Sequence, residues 1–133
     1  MTFIEWTENL SVGIEEFDSH HKCLLKLINK LNDSIINRTD NAVIGGILTE
    51  LTNYTLYHFF AEENAMKKYE YPDYEIHRNA HLVLTEKTLD FLQDEHHEKR
   101  GRELLAFLKD WLAHHILEVD KTYTSFFKGK GFF

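Results

Sequence analysis

At 133 residues the chain is long enough to bury one core and too short for two, and 43% hydrophobic with 28% charged residues is a globular composition, which argues against disorder. A formal charge of −7 excludes nucleic acid as the natural partner, because phosphate binding needs clustered Lys and Arg and the densest basic run is only Lys99, Arg100 and Arg102. No apolar run approaches the roughly 18 residues of a membrane span, and Glu5 and Glu8 near the start do not suit a secretory leader, so a cytoplasmic protein without membrane insertion is expected.

The first element is an arm over residues 1–15 that carries Trp6 and Val12-Gly13-Ile14. After it, apolar residues recur at three- and four-residue spacing in four segments, which predicts helices over 17–37, 41–68, 73–95 and 100–127 and no strands. Asn37 to Asn41 supplies turn and capping side chains. Pro72 stands just before the third helix, where a missing N–H costs least, and His96 to Gly101 forms a polar bend. Four such helices with short connections suit an all-α, antiparallel up-down-up-down bundle in a single domain over 1–133.

Nine histidines are unusual, and several fall on the apolar faces. In the first helix His20 aligns with Leu24, Leu27 and Leu31, whereas His21 aligns with Leu24, Leu25 and Ile28, so periodicity leaves the pair unresolved. Cys23, in the same apolar pattern, reads as a small buried hydrophobe. The second helix places His58 and Glu62 on the stripe of Thr55, Leu51, Leu48 and Ile44. The third sets His77 and His81 on the stripe of Leu84, Thr88 and Leu92. In the fourth, His115 shares a face with Leu108, Trp111, Leu112 and Val119, while His114 lies between Asp110 and Glu118.

One such histidine is ordinary core packing, but four helices each presenting one is not. Unpartnered, each buried polar group would cost roughly 1–3 kcal/mol, and each charge more, against a total stability of about 5–15 kcal/mol. A positive charge at the centre removes that penalty. One His from the first helix, with His58, Glu62, His77, His81 and His115, makes six donors, more than one tetrahedral ion takes. Asp120 is the natural seventh, although five residues turn about 140° around an ideal helix, so a local distortion or side-chain reach is required. Seven donors imply two metals, and imidazole with carboxylate suits iron, zinc, copper or nickel.

The residues Trp6 with Val12-Gly13-Ile14, Asp18-Ser19-His20-His21, His58-Phe59-Phe60-Ala61-Glu62-Glu63, Tyr71-Pro72 with His77 and His81, and His115-Ile116 with Asp120 and Tyr123 together resemble the hemerythrin family, particularly its single-domain bacterial members. The resemblance implies two iron ions joined by a bridging oxo or hydroxo group, with His77, His81 and His115 on one, His21 and His58 on the other, and Glu62 and Asp120 across both. It settles the first helix in favour of His21. It also implies reversible dioxygen binding for storage, transport or delivery, in a monomer that is not an enzyme and that hands oxygen to an oxygen-consuming partner. The alternatives on the same bundle are a diiron enzyme, an oxygen or nitric oxide sensor, or a protein that repairs iron centres. Leu24, Phe59, Trp111, Leu112 and Ile116 are expected to line the dioxygen pocket. The chain departs from the family at His20, where Gln is common, and at His114, where Asn is frequent. Asp18 reads equally as a hydrogen-bonding group near the site or a first-turn acid, and Glu63 as a solvated face residue.

Overall fold

The computed structural model describes residues 3–37, 41–93 and 97–133. Four long helices carry most of them: α1 Glu15–Ile36, α2 Asn41–Lys68, α3 Tyr74–Gln93 and α4 His97–His114, followed by a short α5, Thr124–Gly129. Among the described residues there is no strand, and no helix is long and apolar enough to cross a membrane. α1 packs against α2 and α4, α2 against α3, and α3 against α4, so the helices close a ring in chain order around one core, a four-helix bundle. The predicted turn over 37–41, the last residues of the helix predicted over 73–95 and the polar bend over 96–101 fall wholly or partly outside the described residues.

The first helix begins at Glu15, earlier than the apolar pattern predicts, because Glu15, Glu16 and Asp18 in its first turn favour the positive end of the helix dipole. Asp18 also ties down the arm: its Oδ2 accepts from Ser11 Oγ at 2.6 Å and its Oδ1 from the Val12 N–H at 2.8 Å. Thr124 Oγ1 in turn donates to the Val12 carbonyl at 2.6 Å. The arm is thereby clamped between the start of α1 and α5, which is the work Asp18 does. Gly13 in this segment has φ +74°, with Lys128 Cε 3.0 Å from where a Cβ would stand.

α2 ends in a Schellman motif. Glu70 takes the left-handed conformation at φ 58°, its N–H donates to the Lys67 carbonyl at 3.3 Å, and the Tyr71 N–H donates to the Met66 carbonyl at 2.8 Å. Pro72 then prevents the helix from resuming. At the other end of the bundle a Cβ on Gly101 would lie 2.6 Å from Ile35 Cδ1, so glycine there lets α4 come close to α1.

The predicted fourth helix does not run unbroken from 100 to 127. It starts at His97 and keeps α geometry to His114, then passes through a π turn over His115–Val119 and a 3-10 turn over Asp120–Tyr123 before α5. The π turn supplies the distortion that the five-residue step from His115 to Asp120 requires.

Candidate metal centre

The first three long helices and the turns that follow the fourth contribute to one cluster in the core of the bundle. His21 comes from α1, His58 and Glu62 from α2, His77 and His81 from α3, and all five are at most 2% exposed. His115 and Asp120 come from the two ends of the π turn, in which the Asp120 N–H donates to the His115 carbonyl five residues back. That widened turn brings both side chains to one face, with His115 Nε2 2.9 Å from Asp120 Oδ1.

The two carboxylates divide the imidazoles between them. Asp120 Oδ1 also lies 3.0 Å from His77 Nε2, while its Oδ2 lies 3.1 Å from His21 Nε2. Glu62 Oε1 lies 3.2 Å from His81 Nε2 and 3.5 Å from both His77 Nε2 and His58 Nε2. Two overlapping sets result: Glu62, His77, His81, His115 and Asp120, and His21, His58, Glu62 and Asp120, each with donor atoms within 4.8 Å of one another. Glu62 and Asp120 belong to both sets.

These close approaches are mostly not hydrogen bonds. His77 Nε2, His81 Nε2, His115 Nε2, Glu62 Oε1 and both Asp120 oxygens are buried and lack a partner at acceptable angle. Atoms that converge at the wrong angles for bonding one another, yet cannot reach water, are aimed at a common point between them. His21 Nε2 and His58 Nε2 stand 3.0 Å apart, and two nitrogens bound at right angles to one ion at about 2.1 Å would be separated by about 3.0 Å. The donor set therefore fits metal ions, and its nitrogen and oxygen chemistry suits iron. Cys23 takes no part in either set.

Charge is arranged to match. Burial and mutual repulsion push Glu62 and Asp120 up, but the imidazoles around them prevail and hold both carboxyls well below the usual range. Burial pulls His77 down, yet the negative charge of Asp120 and Glu62 close to its Nε2 carries it to about 9. Against burial, His21 is raised by Asp120 and Glu62, and His81 by Glu62 and Glu63. His58 is the exception, driven by burial to about 3 and so neutral. Without metal, protons on the imidazoles thus neutralise the two carboxylates.

Several groups outside the predicted set hold it in place. The Tyr123 hydroxyl donates to Glu62 Oε2, Phe59 stacks on His81 with ring centres 3.7 Å apart, and Trp111 stacks on His115 at 4.3 Å. Glu63 departs from its reading as a solvated face residue: it is about one-fifth exposed and its Oε2 is 3.0 Å from His81 Nδ1. His20 is buried, with Nδ1 2.9 Å from His58 Nδ1. Tyr123, three residues after Asp120, could have been found by helical spacing. Glu63 and His20 reach across to another helix, and nothing local in the sequence marks that.

A small cavity of about 20 Å³, room for roughly one water-sized molecule, is separated from the cluster by the rings of Phe59 and Trp111, which line it and stack on His81 and His115. Leu24, Phe59, Trp111 and Leu112 line it together with Leu51 and Leu108. The Thr55 hydroxyl among its lining residues is already donated to the Leu51 carbonyl at 2.7 Å. Ile116 is fully buried in the π turn and is not among the residues lining this cavity.

Comparison with known proteins agrees with this geometry. The family model described as the hemerythrin HHE cation binding domain matches residues 12–126. The chain is 33% identical over 129 residues to the bacteriohemerythrin of Methylococcus capsulatus, covering 92% of this chain and 95% of that protein. It is 31% identical over 124 residues to a bacteriohemerythrin of Pseudomonas aeruginosa, covering 92% and 80%. A crystal structure of wild-type hemerythrin, 30% identical, superposes with a TM-score of 0.82 over 92% of this chain and 96% of that one. The chain belongs to the hemerythrin HHE cation-binding family.

Proposed function

We propose that the chain binds dioxygen reversibly at a two-iron centre, in which His77, His81 and His115 would hold one ion, His21 and His58 the other, and Glu62 and Asp120 would offer oxygens to both. The observation that carries this reading is the pair of donor sets sharing two carboxylates, with a small cavity of mainly apolar lining behind Phe59 and Trp111. When bound, two ferrous ions supply the electrons by which dioxygen is held.

The protein's own groups do the rest. Three imidazoles crowd one position and only two serve the other, so an open place falls at the position of His21 and His58. Leu24, Phe59, Trp111 and Leu112, which line the cavity, keep free water and its protons from the oxygen, which favours release over reduction. Tyr123 fixes Glu62 by its hydrogen bond, so the carboxylate need not reorganise as charge moves. A carrier fits better than a ferritin-like enzyme, whose bundle uses four Glu and two His, whereas this cluster holds five His and two carboxylates. The free, part-buried Cys23 suits a reducing compartment, so the reading includes a monomer in the cytoplasm serving an oxygen-consuming partner.

The test is anaerobic loading with ferrous iron followed by cycles of oxygen and argon. Two irons per chain are expected, with a coloured charge-transfer band that appears under oxygen and fades under argon over repeated cycles. A limit of one metal, or irreversible oxidation in the first cycle with release of peroxide, would replace the carrier by the enzyme alternative.

A further inference from the structure

An imidazole that gives Nε2 to a metal carries its hydrogen on Nδ1, and the acceptor behind that hydrogen sets both the ring's orientation and its donor strength. The imidazoles of the cluster differ in what stands behind them. His81 Nδ1 is 3.0 Å from Glu63 Oε2, an anionic acceptor whose other oxygen is 4.0 Å from Arg78 Nε. His58 Nδ1 is 2.9 Å from His20 Nδ1, a neutral acceptor, and His21 Nδ1 is buried with no partner at all. The carboxylate therefore backs the set of His77, His81 and His115, and the set of His21 and His58 has only an imidazole behind it.

A carboxylate behind an imidazole makes the nitrogen a stronger donor, and losing such a partner typically costs 10- to 100-fold in metal affinity. A neutral imidazole lacks that charge but still fixes the ring. For His20 to accept from His58, its own hydrogen must sit on Nε2, and its ring packs against Tyr54 and Tyr57. Glutamine could accept the same hydrogen bond through its amide oxygen, and leucine could not.

We propose that Glu63 and His20 are positioning residues that grade the two metal positions: Glu63 strengthens the position of His77, His81 and His115, which fills first, and His20 holds His58 aligned for the position that fills second. The proposal rests on the two-metal reading above and adds an order of filling, with a separate residue controlling each step.

Anaerobic titration with cobalt(II), followed by calorimetry and by the cobalt absorption bands, tests it without dioxygen. The parent protein takes up two cobalt ions in resolvable steps. Glu63→Gln weakens the first step about tenfold and leaves the second nearly unchanged. His20→Leu weakens the second step about tenfold and leaves the first, and His20→Gln restores it. Far-UV dichroism of the metal-free variants checks that each is folded, and the two conservative amide variants keep the test open if His20→Leu is not. A purely structural role would lower both steps together, so equal weakening of both, no effect on either, or failure of His20→Gln to restore the second step overturns the proposal. Uptake of a single cobalt ion by the parent overturns both this proposal and the two-metal reading. Two cobalt ions with the graded variant effects, but no reversible oxygen uptake by the iron form, overturns the oxygen-carrier reading and leaves the graded positions standing.

Discussion

His114 and His115 are neighbours in sequence with opposite surroundings: His114 is exposed, while His115 is buried, stacked on Trp111 and aimed at Asp120. His115→Ala should abolish binding of at least one iron, whereas His114→Ala should retain two, as measured by elemental analysis after loading. Equal loss in both variants would overturn the assignment of His115 to the cluster. Tyr123 gives a second test, because it is fully buried and its hydroxyl donates to Glu62. Tyr123→Phe keeps the ring among Phe17 and Phe127 but strips a buried carboxylate of its donor, a loss of about 1–3 kcal/mol that should lower the melting temperature of the metal-free protein. An unchanged melting temperature would show that the bond contributes nothing to stability. Periodicity found the inward residues whose neighbours on their own helix are apolar, which is why His58, His77, His81 and His115 were legible. It could not separate His20 from His21, and the structure explains the failure. Both are buried, His21 before the Nε2 edge of the His58 ring and His20 behind its Nδ1 edge.

At the scale of elements, the four helices were legible because each buries one apolar stripe, a property of residues three and four apart on the same segment. The interruption of the fourth was legible only as a need. The step from His115 to Asp120 demanded a distortion, but nothing in His115-Ile116-Leu117-Glu118-Val119 says whether reach, a kink or a π turn would provide it. The turn is held in place by what it achieves, since an unbroken helix would swing Asp120 about 140° from His115 and take a carboxylate out of the cluster. The cap of α2 was likewise hidden, although its end at Lys68 was not, because the left-handed residue that closes it is Glu70 and not the glycine that usually signals such a cap. This gives a prediction in the stabilising direction. Glu70 is exposed, so Glu70→Gly removes the penalty of a Cβ in the left-handed region and should stabilise the protein by about 1 kcal/mol in urea unfolding. Glu70→Val should destabilise it, because a β-branched side chain fits that region worse. A loss of stability in the glycine variant would mean that the Glu70 side chain contributes more than its backbone strain costs.

For the molecule as a whole, the cluster places its most expensive groups at the centre, so stability and metal content should be linked through acidity. In the metal-free protein His77 is raised to about 9 and His21 is raised as well, both by Asp120 and Glu62, and His81 is raised by Glu62 and Glu63. Their unfolded value is about 6.5. Groups raised on folding contribute stability that is fully present below about pH 6.5 and is lost as the pH rises through about 9. Metal binding runs the other way, since an imidazole must shed its proton before it can bind, so apparent affinity grows over the same interval. At neutral pH metal uptake should therefore release protons, measurable in a weakly buffered anaerobic titration. Metal at a thousand times its dissociation constant stabilises the folded state by about 4 kcal/mol. The melting temperature of the metal-loaded protein should exceed that of the metal-free protein at pH 6.5, and the gap should widen towards pH 9 as the metal-free form loses its proton-mediated pairs and the loaded form binds more tightly. Scanning calorimetry of both forms across that range checks it. A gap that stays constant or narrows would mean that the buried carboxylates are neutralised by something other than protons on His21, His77 and His81, and that metal does not replace those protons when it binds.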